Sequence, residues 1–74
     1  MNVLKNRLKV IRAERNLTQE QIANLAGVTR QTIISIEKGD YAPSVAIALS
    51  LANALNVRVD DLFHLEHNVP PNSK

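Results

Sequence analysis

Between Leu17 and Gly39 one local plan occurs twice: a threonine, a short run with apolar residues at helical spacing, and then a glycine. Thr18 opens the first run with Gln21 three residues on, the spacing at which each side chain satisfies an amide that the helix start leaves unpaired. Ile22, Ala23 and Leu25 or Ala26 supply its buried side. Gly27 ends it, because glycine reaches the positive φ of a helix stop at least cost. Thr29 opens the second run, Ile33 and Ile36 form its apolar stripe, and Gly39 stops it after Lys38. Two short amphipathic helices joined by so tight a turn make a helix-turn-helix. The second keeps its first turns polar, with Arg30, Gln31, Thr32 and Ser35 outside the stripe, and such a helix can lay side chains against base edges in the major groove of DNA.

The flanking sequence adds three further helices. Leu4, Leu8 and Ile11 recur on one face from about Val3 to Glu14, which predicts a first helix that Asn16 and Leu17 terminate. After the loop Asp40-Tyr41-Ala42-Pro43, Ser44 caps a fourth helix reaching about Leu55. That helix is apolar almost all round: Val45, Leu49, Ala52 and Leu55 lie on one side, and Ile47, Leu51 and Ala54 nearly opposite. Only Ser50 and Asn53 make a polar wedge, so the helix is expected to sit centrally. Asn56 and Val57 turn the chain into a short fifth helix from Val59 to Phe63 or His64, with Asp60 and Asp61 matching its N-terminal dipole. Phe63 to Glu66 alternates in polarity, which also suits a short extended segment. The expected fold class is therefore all-α: a five-helix bundle over residues 1–66, with residues 67–74 a loose tail whose two prolines cannot continue a helix.

Composition narrows the function classes. The 74 residues hold one small domain, and their 45% hydrophobic content is that of a globular chain. Tyr41 and Phe63 are the aromatic residues, so the core must be aliphatic. Without cysteine there is no disulfide framework or thiolate metal site, which suits a reducing cytoplasm. No signal-peptide pattern and no apolar run of about 18 residues is present, so no membrane partner is expected. The net charge of +2 is unevenly spread. Lys5, Arg7, Lys9, Arg12 and Arg15 face one acid, Glu14, in the first fifteen residues, while the end of the chain carries an acidic excess. This suits a side that meets a polyanion and a side turned away from it. For any one of those lysines, an ordinary solvated helix face is an equal reading.

Several spaced elements together, Leu17-Thr-Gln-Glu-Gln-Ile-Ala, Gly27-Val-Thr-Arg-Gln-Thr-Ile, Ile36-Glu-Lys-Gly, Pro43-Ser and Leu55-Asn-Val, resemble the lambda-repressor-like, Cro-type helix-turn-helix regulators. The likeness covers roughly residues 4–64 and is greatest to compact single-domain members. It implies a five-helix DNA-binding bundle. By resemblance, base-reading positions fall on Arg30 and Gln31, with Ser35 one turn later, and Gln19 matches a position that holds a phosphate. Lys38 and Tyr41 lie where the following loop meets the DNA backbone. Arg12 and Glu37 match a structural ion pair. Ile34 departs from the pattern, standing where such proteins often have a small or polar residue, so the base preference does not carry over.

The residue chemistry agrees with these assignments. Arginine donates twice to guanine O6 and N7, and glutamine both donates to and accepts from adenine. Thr29 is first a cap, with a phosphate bond as an addition, and Thr32 suits either a thymine methyl or close approach. His64 and His67 lack a third metal ligand beyond Glu66, and no catalytic constellation or glycine-rich phosphate loop is present, so neither metal, cofactor nor enzymatic activity is expected. The functional expectation is a transcriptional regulator, a repressor by preference, binding double-stranded DNA as a homodimer on a palindrome in the cytoplasm. Ile47, Leu51, Ala54, Phe63 and Leu65 are the nominated dimer surface. The alternative is an antitoxin-type interaction protein that binds a protein partner and represses its own promoter.

Overall fold

A computed structural model describes residues 2–67; residues 68–74, and with them most of the expected tail, lie outside the described part. The order is β1 (Asn2–Asn6), α1 (Leu8–Glu14), α2 (Gln19–Ala26), α3 (Arg30–Lys38), α4 (Val45–Leu55), α5 (Val59–Leu62) and β2 (Phe63–His67). The five helices are present, but the fold is not all-α. β1 and β2 pair antiparallel, with Leu4 opposite Leu65 and Lys5 opposite His64. The segment expected to begin the first helix is instead β1, and the extended reading of Phe63 to Glu66 is the correct one, continuing through His67.

Asn6 explains where the helix starts. Its Oδ1 accepts from the Leu8 amide at 3.1 Å, and its Nδ2 donates to the Ile36 carbonyl at 2.9 Å. The Arg7 amide donates to the Leu62 carbonyl at 2.9 Å. Asparagine is a poor helix interior and a good helix start, so residues before it are released to pair with the strand that follows α5. A helix running back to Val3 would lose those ladder bonds.

The helix ends follow local chemistry. Thr18 and Gln21 close a reciprocal capping box, with bonds of 2.8 and 3.0 Å. The hydroxyls of Thr29 and Ser44 accept from Thr32 and Ile47 amides. Gly27 and Gly39 stop α2 and α3 at φ +74° and +81°. Asn16 and Asn56 take the same left-handed backbone at φ +57°, where asparagine is the best tolerated residue after glycine.

The core is aliphatic: Leu8, Ile11, Ile22, Ala23, Ile33, Ile36, Leu51, Ala52, Leu55 and Leu62 are buried. In α2 the third inward position is Ala26, half-buried against the core, while Leu25 is exposed. α4 is central only in its last turns. Leu51, Ala52 and Leu55 are buried, whereas Val45 is 76% and Leu49 52% exposed. Of the expected dimer surface, Leu51 is fully buried within the chain and so is withdrawn from it, while Ile47, Ala54 and Phe63 are half-buried against the core. The stripe is occupied within one chain because α5, although one turn long, sets Leu62 into the core beside α4. Leu65 alone of that set remains exposed.

Asn6→Ala removes both side-chain bonds while leaving the apolar core whole. It is expected to cost about 1–3 kcal/mol in denaturant unfolding, with a smaller loss if water replaces them.

Candidate nucleic-acid interface

The orientation of α3 is set from below by one carboxylate. Arg12 Nε of α1 donates to Glu37 Oε2 at 2.7 Å, and Arg12 Nη1 donates to the Leu17 carbonyl at 2.9 Å. From α2, Gln19 Nε2 donates to Glu37 Oε1 at 3.0 Å. The Arg12 and Glu37 side chains are 15% and 5% exposed, so this cluster ties three helices together nearly out of water. Gln19 is consequently not a free phosphate ligand: one amide proton is committed to Glu37. The other proton and the backbone amides at the open start of α2 remain to meet an anion, where no intrahelical acceptor exists.

Above this anchor, α3 turns Ile33 and Ile36 inward and leaves Arg30, Gln31 and Lys38 exposed, with Thr32, Ile34 and Ser35 half-buried. Thr29 Oγ1 accepts from the Thr32 amide at 3.1 Å and lies 3.0 Å from Thr32 Oγ1, so both hydroxyls are engaged in the cap. Gln31 Nε2 donates to Ser35 Oγ at 3.4 Å, a long and therefore weak bond. The Arg30 side chain has no hydrogen-bond or ion-pair partner among the described residues, so its guanidinium is uncommitted.

Thr29, Gln31, Thr32 and Ser35 share one shallow open depression with Tyr41 and Asp40. Sequence reading missed Asp40. The signal was Gly39: its left-handed backbone folds the chain back, and the Asp40 amide donates to the Ser35 carbonyl at 2.9 Å. This brings a carboxylate onto the polar face of α3, 3.9 Å from Lys38 Nζ. An exposed pair of that kind contributes little to stability, about 0–1 kcal/mol, but it subtracts positive charge from the face.

The basic N-terminal block does not act as one patch. Arg12 is spent on Glu37, and Arg15 Nε donates to the Leu55 carbonyl at 3.0 Å, tying α1 to the end of α4. Lys5, Arg7 and Lys9 remain exposed on β1, the junction and α1. His64 and His67 sit on a strand, where residues three apart face opposite sides, and no cluster of metal-ligating side chains occurs among the described residues.

Comparison with known proteins agrees with this geometry. A family model described as Helix-turn-helix (HTH_3) matches residues 8–62. The chain is 51% identical over 63 residues to an uncharacterised HTH-type transcriptional regulator of Methanocaldococcus jannaschii, covering 85% of this chain and 96% of that one. It is 42% identical to the immunity repressor protein of Bacillus phage phi105, covering 72% of this chain and 37% of the repressor. Among solved structures it resembles the restriction-modification controller protein C.AhdI of Aeromonas hydrophila, with a TM-score of 0.71 and 31% identity over 73% of this chain and 82% of that one.

Glu37→Ala strands the Arg12 guanidinium near the core and is expected to cost about 3 kcal/mol or more in denaturant unfolding. The double variant Arg12→Met with Glu37→Met is expected to lose less than the sum of the single losses, which a double-mutant cycle measures.

Proposed function

The chain belongs to the helix-turn-helix family of DNA-binding transcriptional regulators, and from that premise we propose that it is a sequence-specific repressor acting as a homodimer on a palindromic operator. The reading rests chiefly on one observation: α3 is seated by its apolar stripe and the Glu37 cluster, while at its start the Arg30 side chain is exposed and uncommitted and Gln31 is exposed with only a long 3.4 Å bond to Ser35. Its family is one of regulators rather than enzymes. No helix among the described residues is long and apolar enough to cross a membrane.

In this mechanism α3 enters the major groove start first. Arg30 donates to guanine O6 and N7, and Gln31 pairs with an adenine edge, each good contact discriminating by about 1–3 kcal/mol. Thr32 and Ser35, being short, let the helix approach, and Ile34 lies at the groove edge for a thymine methyl. The start of α2 meets one phosphate through backbone amides and Gln19. Thr29, Lys38 and Tyr41 meet the backbone on the other side of the groove. These contacts fix register and carry no sequence information themselves. One recognition helix reads few base pairs, so two copies related by a twofold axis, with half-sites about 34 Å apart, supply the missing specificity. Likeness to a phage immunity repressor favours repression over activation, and the cytoplasm is the matching location.

Selection of bound duplexes from a random pool tests the proposal directly; a palindromic product is expected, and no enrichment would reject sequence-specific binding. On the selected site Arg30→Ala is expected to lose about 1–3 kcal/mol and to lose much less on random duplex. Gln19→Ala is expected to weaken both alike. Asp40→Asn removes a carboxylate from the phosphate side and is expected to tighten binding to any duplex at low salt, an effect that fades as salt screens it.

A further inference from the structure

We infer that the cleft between β1 and the end of α3 seats one phosphate of the DNA backbone between Lys5 and Lys38, so that β1 extends the footprint beyond the helix-turn-helix. This rests on the DNA-binding reading above and adds a contact to it. The family match begins at Leu8, so β1 lies outside the part of the chain that the match covers. β1 is nonetheless not a loose arm. Lys5 is held in a ladder opposite His64, and its neighbour Asn6 is tied to the Ile36 carbonyl at 2.9 Å and to the Leu8 amide at 3.1 Å. The strand is therefore fixed against the C-terminal end of the helix that carries Arg30 and Gln31.

The cleft has a volume of about 340 Å³, the space of roughly ten waters, and Lys5, Asn6, Glu37, Lys38 and Gly39 are among its walls. A helix C-terminus ordinarily repels an anion. Here the repelling groups are occupied. The Ile36 carbonyl accepts from Asn6 Nδ2 and the Gly39 amide, the Ser35 carbonyl accepts from the Asp40 amide, and the Glu37 carboxylate is paired with Arg12. The two ammonium groups are not so engaged. The Lys5 side chain has no ion-pair or hydrogen-bond partner among the described residues. Lys38 has Asp40 at 3.9 Å, with both side chains two-thirds exposed, a pair weak enough for a phosphate to displace. Lys38 also points to the source of the phosphate. Its partner Asp40 lines the depression shared with Gln31 and Ser35, so the cleft adjoins the face of α3 proposed to meet DNA. Two exposed lysines on flexible stems hold a free phosphate weakly, whereas a duplex already docked through α3 supplies one at high effective concentration.

The test is the salt dependence of binding by the full-length protein to its selected operator. Each phosphate neutralised contributes about 0.9 to the slope of log affinity against log salt. Lys5→Gln is expected to lower that slope by about 0.9 for each bound subunit, on operator and random duplex alike, so its deficit against wild type shrinks about 3.5-fold per subunit between about 50 and 200 mM salt. Lys5→Arg is expected to keep the wild-type slope. Arg58→Gln removes the same charge from the start of α5, outside the cleft, and is expected to leave the slope nearly unchanged. Circular dichroism follows the folding of every variant. A scan of single neutral methylphosphonates along the operator is expected to find one position per bound subunit that weakens wild type several-fold and Lys5→Gln not at all. A slope that Lys5→Gln lowers no more than Arg58→Gln does overturns the seat at β1, and continued discrimination lost only in Arg30→Ala leaves the reading of α3 standing. Inorganic phosphate is the other arm. A shift of the Gly39 amide resonance that saturates at submillimolar phosphate, with the duplex slope untouched by Lys5→Gln, makes the cleft a free-anion site and overturns the proposal. A wild type that binds no duplex overturns both readings.

Discussion

Glu37 lies at the end of α3 with its carboxylate almost out of water, and it holds only because Arg12 and Gln19 reach it from two other helices. A buried charge without such partners would cost several kcal/mol, a large share of the margin of a domain this size. The helix that carries the proposed reading residues is thereby fixed in angle by groups that point away from the groove. Stability and the proposed recognition are divided between opposite faces of α3: Ile33, Ile36 and Glu37 seat it, while Arg30 is left without a structural bond and Gln31 with only a long one to Ser35.

That division changes how the charges are read. Counted along the chain, the first fifteen residues form a basic block suited to a polyanion. In three dimensions two of those five cations serve the fold, Arg12 through Glu37 and Arg15 through the carbonyl end of α4. The face that remains is modest in charge, and Asp40 lowers it further. Binding built on such a face depends more on fitted contacts to bases and amides than on bulk attraction, which favours discrimination between sequences over tight binding to any duplex.

The β-ribbon is where local and long-range effects part. Leu4, Leu8 and Ile11 have helical spacing, and that pattern is genuine for the last two, which are buried in α1. Leu4 fits the pattern by coincidence of spacing. Asn6 begins the helix after it, and β2 offers a ladder that no residue near Leu4 announces. The same distance effect governs α4. Its two apolar stripes are visible in the sequence, yet whether the second is covered inside the chain or by another copy depends on where α5 returns, which no local cue sets. Leu51 is sealed, Leu49 is not, and their hydrophobicity does not distinguish them.

The sequence by itself determined the helix-turn-helix: its caps at Thr18, Thr29 and Ser44, its stops at Gly27 and Gly39, its buried Ile22, Ile33 and Ile36, and the polar start of α3. These depend on bonds and dihedrals spanning a few residues, so spacing alone encodes them. Only the tertiary structure decided that Asn2–Asn6 is a strand, that Gln19 is bound to Glu37, that Asp40 joins the polar face, and that Leu65 is open while Leu51 is not. Each of these depends on groups brought together across most of the chain, and a sequence pattern carries no distance between such groups until packing supplies one.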